Sequence, residues 1–148
     1  MALIRAYTLL LTFAYLGCSQ GPSVKFGLIN GVSVTETHYI SYAVGAHYGF
    51  RVDYHDTGYP VTLREQFDLP APARWHSTSP PERPMLSSRG GRTLTTEVQL
   101  GSRTPAPSDV HSFYIEDIQI ARGDPKGEYT VKLWLDDRPF KDFRFYIE

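Results

Sequence analysis

Five histidines are the first residues in this sequence whose chemistry invites a function: His38, His47, His55, His76 and His111. Imidazole nitrogens hold zinc or copper when several ligands converge. None of the five forms a His-x-His or His-x-x-x-His pair. As strand residues, Glu36 and His38 share a face, and His47 shares a face with Asp53. A metal reading would rest on His47 and His55; without a tight pair or a supporting cysteine, no metal and no other cofactor is expected. The carboxylates Asp136 and Asp137 sit in a hairpin turn, where solvated turn residues are common. The serines of the body gather in proline-containing loops, which is no setting for a serine nucleophile. Arg89-Gly-Gly-Arg92 precedes a strand pattern rather than a helix, so it is not a phosphate loop. These observations point away from an enzyme.

Aromatic residues are the stronger signal, with ten tyrosines and two tryptophans. Tyr48 and Tyr54 fall in core phase. Tyr39, Tyr42, Tyr59 and Trp75, the last beside His76, fall in loops. Trp134 is out of phase with its apolar neighbours, as is Tyr146, so both belong to an outer face. Exposed Trp and Tyr give large contact area for little rotamer entropy. Tyr59, Trp75, His76, Trp134 and Tyr146 are therefore the candidate binding surface. A competing account folds Trp75 back on Trp134 as a second small core.

The elements that must carry these residues alternate with period two. The chain ends in a hairpin over 124–148. Tyr129, Val131, Leu133 and Leu135 share one face of its first strand, and Phe143, Phe145 and Ile147 one face of its second. Upstream, 24–34 reads as a first strand with Val24, Phe26, Leu28, Val32 and Val34 in phase. Asn30-Gly31 inside it is a turn or, by preference, a bulge. Residues 35–44 read as a loop. The second strand is the clearest, with Ala46, Tyr48, Phe50, Val52 and Tyr54 on one side. After a turn at 56–60, Val61, Leu63 and Phe67 mark a third strand. Glu65 falls in its apolar phase, which implies an exposed end or a bulge. The stretch 69–91 holds five prolines, so helix is excluded and sheet nearly so. The fourth strand is 93–100, 101–109 is a loop, and 110–120 is a fifth strand or strand pair of unclear phase. Short alternating strands with Gly and Pro in the turns predict an all-β chain, an antiparallel immunoglobulin-like β-sandwich of about seven strands. The order Asp124, Gly127, Tyr129 adds a resemblance to the tyrosine corner of such domains.

Length and composition agree with one domain behind a leader. The chain has 148 residues, 41% of them hydrophobic, with 15 Lys plus Arg against 16 Asp plus Glu. No like-charge run exceeds two residues, which excludes a basic stripe for nucleic acid. One cysteine, Cys18, permits no disulfide within the chain.

The N-terminus has the layout of a secretory signal. Arg5 precedes the mostly apolar run 6–16, then Gly17 and Cys18; the run is too short to span a bilayer. The cysteine at its end resembles a bacterial lipobox, with Gly17 fitting and Tyr15 and Leu16 departing from the pattern. That resemblance implies cleavage before Cys18 and lipid attachment there, with Ser19 directing the product to the outer membrane. Each buried methylene of such an anchor contributes about 0.8 kcal/mol. The organisation expected is a signal peptide at 1–17, a tether at 18–23 and one sandwich domain at 24–148, with the proline-rich loop at 69–91. An ordinary signal with a soluble periplasmic product is the alternative.

Three stretches carry a wider resemblance: Gly45-Ala-His-Tyr-Gly-Phe50, the proline-rich middle ending in Gly90-Gly91, and Gly127-Glu-Tyr-Thr-Val-Lys-Leu-Trp134 before a Phe-rich last strand. Together the body, from Phe26 onward, resembles the bacterial domain-of-unknown-function family numbered thirty-eight fifty-nine. The resemblance implies an all-β domain and brings no site residues. The expected function is a lipid-anchored, non-enzymatic binding or accessory module of the cell envelope, its partner an envelope protein or glycan. A metal-binding periplasmic protein and a hydrolase of unspecified class are the alternatives.

Overall fold

The computed structural model describes residues 21–73, 86–101 and 110–148, the stretch 86–89 by its backbone alone. Among these residues ten strands run in chain order: β1 Ser23–Asn30, β2 Ser33–Glu36, β3 Tyr39–Ile40, β4 His47–Asp56, β5 Val61–Asp68, β6 Leu86–Ser88, β7 Thr93–Leu100, β8 Val110–Gln119, β9 Gly127–Leu135 and β10 Arg138–Ile147. They form two sheets, ordered β2-β1-β4-β8 and β3-β10-β9-β5-β7-β6. Every pairing is antiparallel except that of β3 with β10. Seven strands have eight to ten residues (β1, β4, β5, β7, β8, β9, β10) and the other three have two to four. The seven divide three against four, β1-β4-β8 facing β10-β9-β5-β7, and make an immunoglobulin-like β-sandwich.

The alternating apolar residues meet between the sheets. Tyr48, Phe50 and Val52 come from one side, and Leu63, Val131, Leu133 and Phe145 from the other, each at most 1% exposed. Phe145 is the hub: its ring lies 4.6 Å from Phe26, 5.1 Å from Tyr129 and 5.4 Å from Tyr48. Rings at these separations gain quadrupole attraction beyond simple burial.

Local chemistry fixes the turns. Asp136 and Asp137 both take positive φ, 47° and 62°, as a two-residue hairpin turn needs. Asp136 Oδ1 accepts the Thr62 amide at 2.9 Å, so the turn is also tied to β5. The tyrosine corner is present: the buried Tyr129 hydroxyl donates to the Pro125 carbonyl at 2.5 Å. Burial and nearby Asp124 hold that phenol protonated well above its usual range.

Tyr48 is a contrasting case. It is 1% exposed, and no hydrogen bond is made by its hydroxyl among the described residues. Tyr129→Phe is expected to cost about 1–2 kcal/mol, because it strips a bond to a specific acceptor. Tyr48→Phe should be neutral or slightly stabilising, because it removes a desolvated polar group. Urea unfolding of the two variants checks the order; the reverse ranking would remove the corner from the account of stability.

Several sequence expectations are corrected. Asn30-Gly31 opens a true hairpin rather than a bulge: Asn30 pairs with Ser33 around Gly31 and Val32, with Gly31 at φ 60°. The apolar phase of β1 breaks at Gly27. Phe26 is 4% exposed, Leu28 39% and Ile29 9%, and Ile29 lies outside the main core. Arg51 Nη1 donates to the Val32 carbonyl at 2.8 Å, which ties the hairpin tip to the outer face of β4. The stretch 35–44 is not only a loop. Its Tyr39 and Ile40 form β3 against the last strand, and Ile40 is completely buried. The proline-rich segment contributes β6 and a single 3-10 turn at Arg89–Gly91.

Glu65 is neither at an exposed end nor on a bulge. It is 1% exposed and stays in register with Thr96 and Leu133. The Thr96 hydroxyl donates to Glu65 Oε2 at 3.0 Å, and Tyr114 reaches Oε1 at 3.2 Å while also bonding Glu116. A buried carboxylate survives in a core only with such partners. The same cluster explains the unclear phase of β8. Tyr114 and Glu116 face this cluster, and on the opposite face Phe113 is 48% exposed beneath the Arg51 guanidinium.

Candidate functional site

The outer face of the larger sheet is a polar lattice. Lys132 Nζ lies 3.4 Å from Asp68, which also accepts from Gln66 and, at 2.9 Å, from the Thr93 hydroxyl. Partial burial alone would raise the Asp68 pKa, but the hydrogen bonds from Thr93, Gln66 and Lys132 outweigh it and hold the carboxyl below its ordinary value. A folded-state pKa below the unfolded one stabilises the fold above the unfolded value and ceases to do so as pH falls through the folded one. Unfolding midpoints should therefore drop on acidification below about pH 4. Asp68→Asn should flatten part of that slope; an unchanged slope in urea titrations at several pH values would rule this carboxyl out as a contributor.

The aromatic residues singled out from sequence do not form one patch. Trp134 pairs with Pro139 beside the hairpin turn, whereas Tyr146 pairs with Glu128 at the other end of β9. The Trp134 ring lies under the Arg64 guanidinium at 4.6 Å, and Arg64 also bonds Asp137 at 2.8 Å. Tyr59 is 79% exposed on the turn between β4 and β5, at the Trp134 end. Trp75, His76 and Cys18 lie outside the described residues.

At the opposite end, Tyr146 stacks on Tyr39 with centroids 5.8 Å apart and planes 18° from parallel. Tyr39 is 63% exposed and Tyr146 40%. The Tyr146 hydroxyl bonds Glu128, which pushes the phenol pKa upward. Sequence reading places Tyr39 in a loop and so misses this pair. The signal that finds it is the buried Ile40, which can reach the core only if 39–40 docks on an edge.

Close to the pair in sequence, His38 and Arg144 line a cleft of about 470 Å³ between β1 of one sheet and β10 of the other. Phe26 and Phe143 line its apolar part. Its polar walls carry Lys25 and Glu36 on one side, and His38, Lys141, Asp142 and Arg144 on the other. The volume is within the range of ligand pockets. His38 Nδ1 donates to the Arg144 carbonyl at 3.0 Å, which holds the ring against β10.

His47, His55 and His111 sit on the outer face of the smaller sheet. His47 Nδ1 is 2.8 Å from Asp117, and His111 Nε2 is 3.7 Å from Asp53 with His55 alongside at 5.8 Å between rings. Among the described residues no group of three or more His, Cys, Asp or Glu is placed to hold a metal. No helix among them is long and apolar enough to cross a membrane.

A crystal structure of an immunoglobulin-like protein from Pseudomonas aeruginosa is similar to this chain, at 13% identity and a TM-score of 0.47, covering 85% of this chain and 92% of that one. No curated protein matches the chain. The family described as the PM0630 beta sandwich domain matches residues 27–148, well over half of the chain. The chain therefore belongs to the PM0630 beta sandwich domain family.

Proposed function

We propose that this protein is a secreted, lipid-anchored binding module of the bacterial cell envelope, without catalytic chemistry of its own. The observation that carries the reading is the exposed Tyr39–Tyr146 stack beside an open, polar-walled cleft. Rigid aromatic faces next to charged side chains give contact area and orientation together, which is how binding surfaces are built. The rest of the proposal rests on the leader: Arg5, the apolar run and Cys18 support export and acylation at Cys18, with the outer membrane as destination. Tyr59 and the half-buried Trp134 form a second aromatic end that a large partner would also meet.

Crosslinking of the intact protein in its native envelope, followed by mass spectrometry, tests this. A reproducible partner is expected. It should be lost on the double substitution Tyr39→Ala and Tyr146→Ala, and Cys18→Ala should release the protein from the membrane fraction. A partner recovered equally well by the double variant would reject this surface. Absence of any partner would reject the binding role.

A further inference from the structure

Among the described residues, the edge of β10 that borders the cleft is open. β3 covers β10 only at Tyr146 and Ile147. There the Tyr146 amide donates to the His38 carbonyl at 2.8 Å, and the Glu148 amide to the Ile40 carbonyl at 3.1 Å. Amides on one side of a strand recur every second residue, so those of Arg144 and Asp142 point the same way. The Arg144 carbonyl confirms the direction, since it accepts from the His38 side chain. That ring stands where the next residue of a strand would be. Beyond it the Arg144 N–H, the Asp142 N–H and the Asp142 carbonyl face the cleft with no strand beside them among the described residues. Across the cleft, β2 pairs with β1 only from Gly27 onward, so the Ser23–Phe26 edge has no strand beside it among the described residues either.

Charge indicates what would fill the gap. Lys25, Lys141 and Arg144 outnumber Glu36 and Asp142 by three to two, and none of the five makes an ion pair among the described residues. The chain as a whole carries −1, so the cleft is locally opposite in sign. Phe26 and Phe143 add an apolar floor between the sheets.

Resting on the binding role proposed above, we propose that this cleft takes an extended acidic peptide segment of a partner, which adds a short strand to β10 along Asp142–Arg144. The peptide backbone would meet the outward amides, as in strand addition to a free sheet edge. Carboxylates on the peptide's outer face would meet Arg144, while the residues turned inward would pass Lys141 and approach Phe26 and Phe143. Main-chain bonds supply the affinity and the cations supply the selectivity for acidic sequence.

The test is a titration of the full chain, labelled with nitrogen-15, with the acetylated and amidated peptide Val-Glu-Val-Glu-Val. Saturable shifts are expected at the Asp142 and Arg144 amides. Binding should weaken by about tenfold in Lys141→Glu with Arg144→Glu. It should be lost when the peptide is N-methylated at alternate residues, and in Asp142→Pro, which deletes an edge amide but leaves the β9 ladder in place. Saturation that survives N-methylation, or no shift at millimolar peptide, would overturn the proposal. Shifts at the same amides that follow protein concentration without peptide would assign the edge to a second copy and also overturn it. If the titration fails while envelope crosslinking finds a partner, the binding role stands and this edge is not its site.

Discussion

Phe145→Ala is expected to lose about 3–5 kcal/mol, the range for deleting a buried aromatic ring. The side chain is completely buried, and three aromatic rings converge on it from both sheets. Its neighbours cannot collapse into the space, because Phe26 and Tyr48 are carried by β1 and β4 while Tyr129 is carried by β9 and tethered through its hydroxyl. A domain of this size holds roughly 5–15 kcal/mol in all, so the variant should unfold at much lower urea and expose apolar surface to a reporter dye. Phe143→Ala is the control, since Phe143 keeps 9% exposure at the cleft and one stacked partner, Phe26. It should cost less; equal losses would mean that the two sheets are not locked through Phe145.

Gly49→Ala is expected to be nearly as damaging without removing any contact. A Cβ at this position would lie 1.8 Å from the Glu116 carbonyl oxygen, and the residue has φ +155°. Both the backbone conformation and the neighbouring strand forbid a side chain. Forced φ and overpacking each cost about 1–3 kcal/mol, so the sum is roughly 2–6 kcal/mol. The damage should be local to the β4–β8 ladder, where Gly49 pairs with Asp117. Hydrogen exchange of the Arg51 and Glu116 region would show it as faster opening there than in β9 and β10. Uniform acceleration across both sheets would show instead that the ladder has no independent opening.

Much of this architecture is legible in the order of the amino acids. β4, β5, β7 and the β9–β10 hairpin have one apolar face and one polar face, and period-two alternation finds such strands directly. The tyrosine corner is legible too, because Asp124, Gly127 and Tyr129 are local in sequence and their geometry depends on a single turn. Alternation fails wherever a neighbouring strand, rather than the strand itself, sets the pattern. Glu65 reads as a fault in the apolar phase of β5, yet it is buried because Thr96 and Tyr114 come from β7 and β8 to meet it. Leu28 reads as core, yet it is 39% exposed because β1 loses phase at Gly27.

The candidate site divides the same way. Sequence alone determined that the chain is all-β, which residues fill most of the core, and that several Tyr and Trp side chains must face outward. It did so because alternation is a property of each strand by itself. Only tertiary structure decided which of those aromatics are neighbours. Tyr146 is the neighbour of Tyr39 rather than of Trp134, because a two-residue strand docks on β10 more than a hundred residues downstream in sequence. The open cleft beside that pair was decided there too: it depends on where β2 and β3 stop pairing, and edge length is set by the packing of two sheets rather than by any local signal.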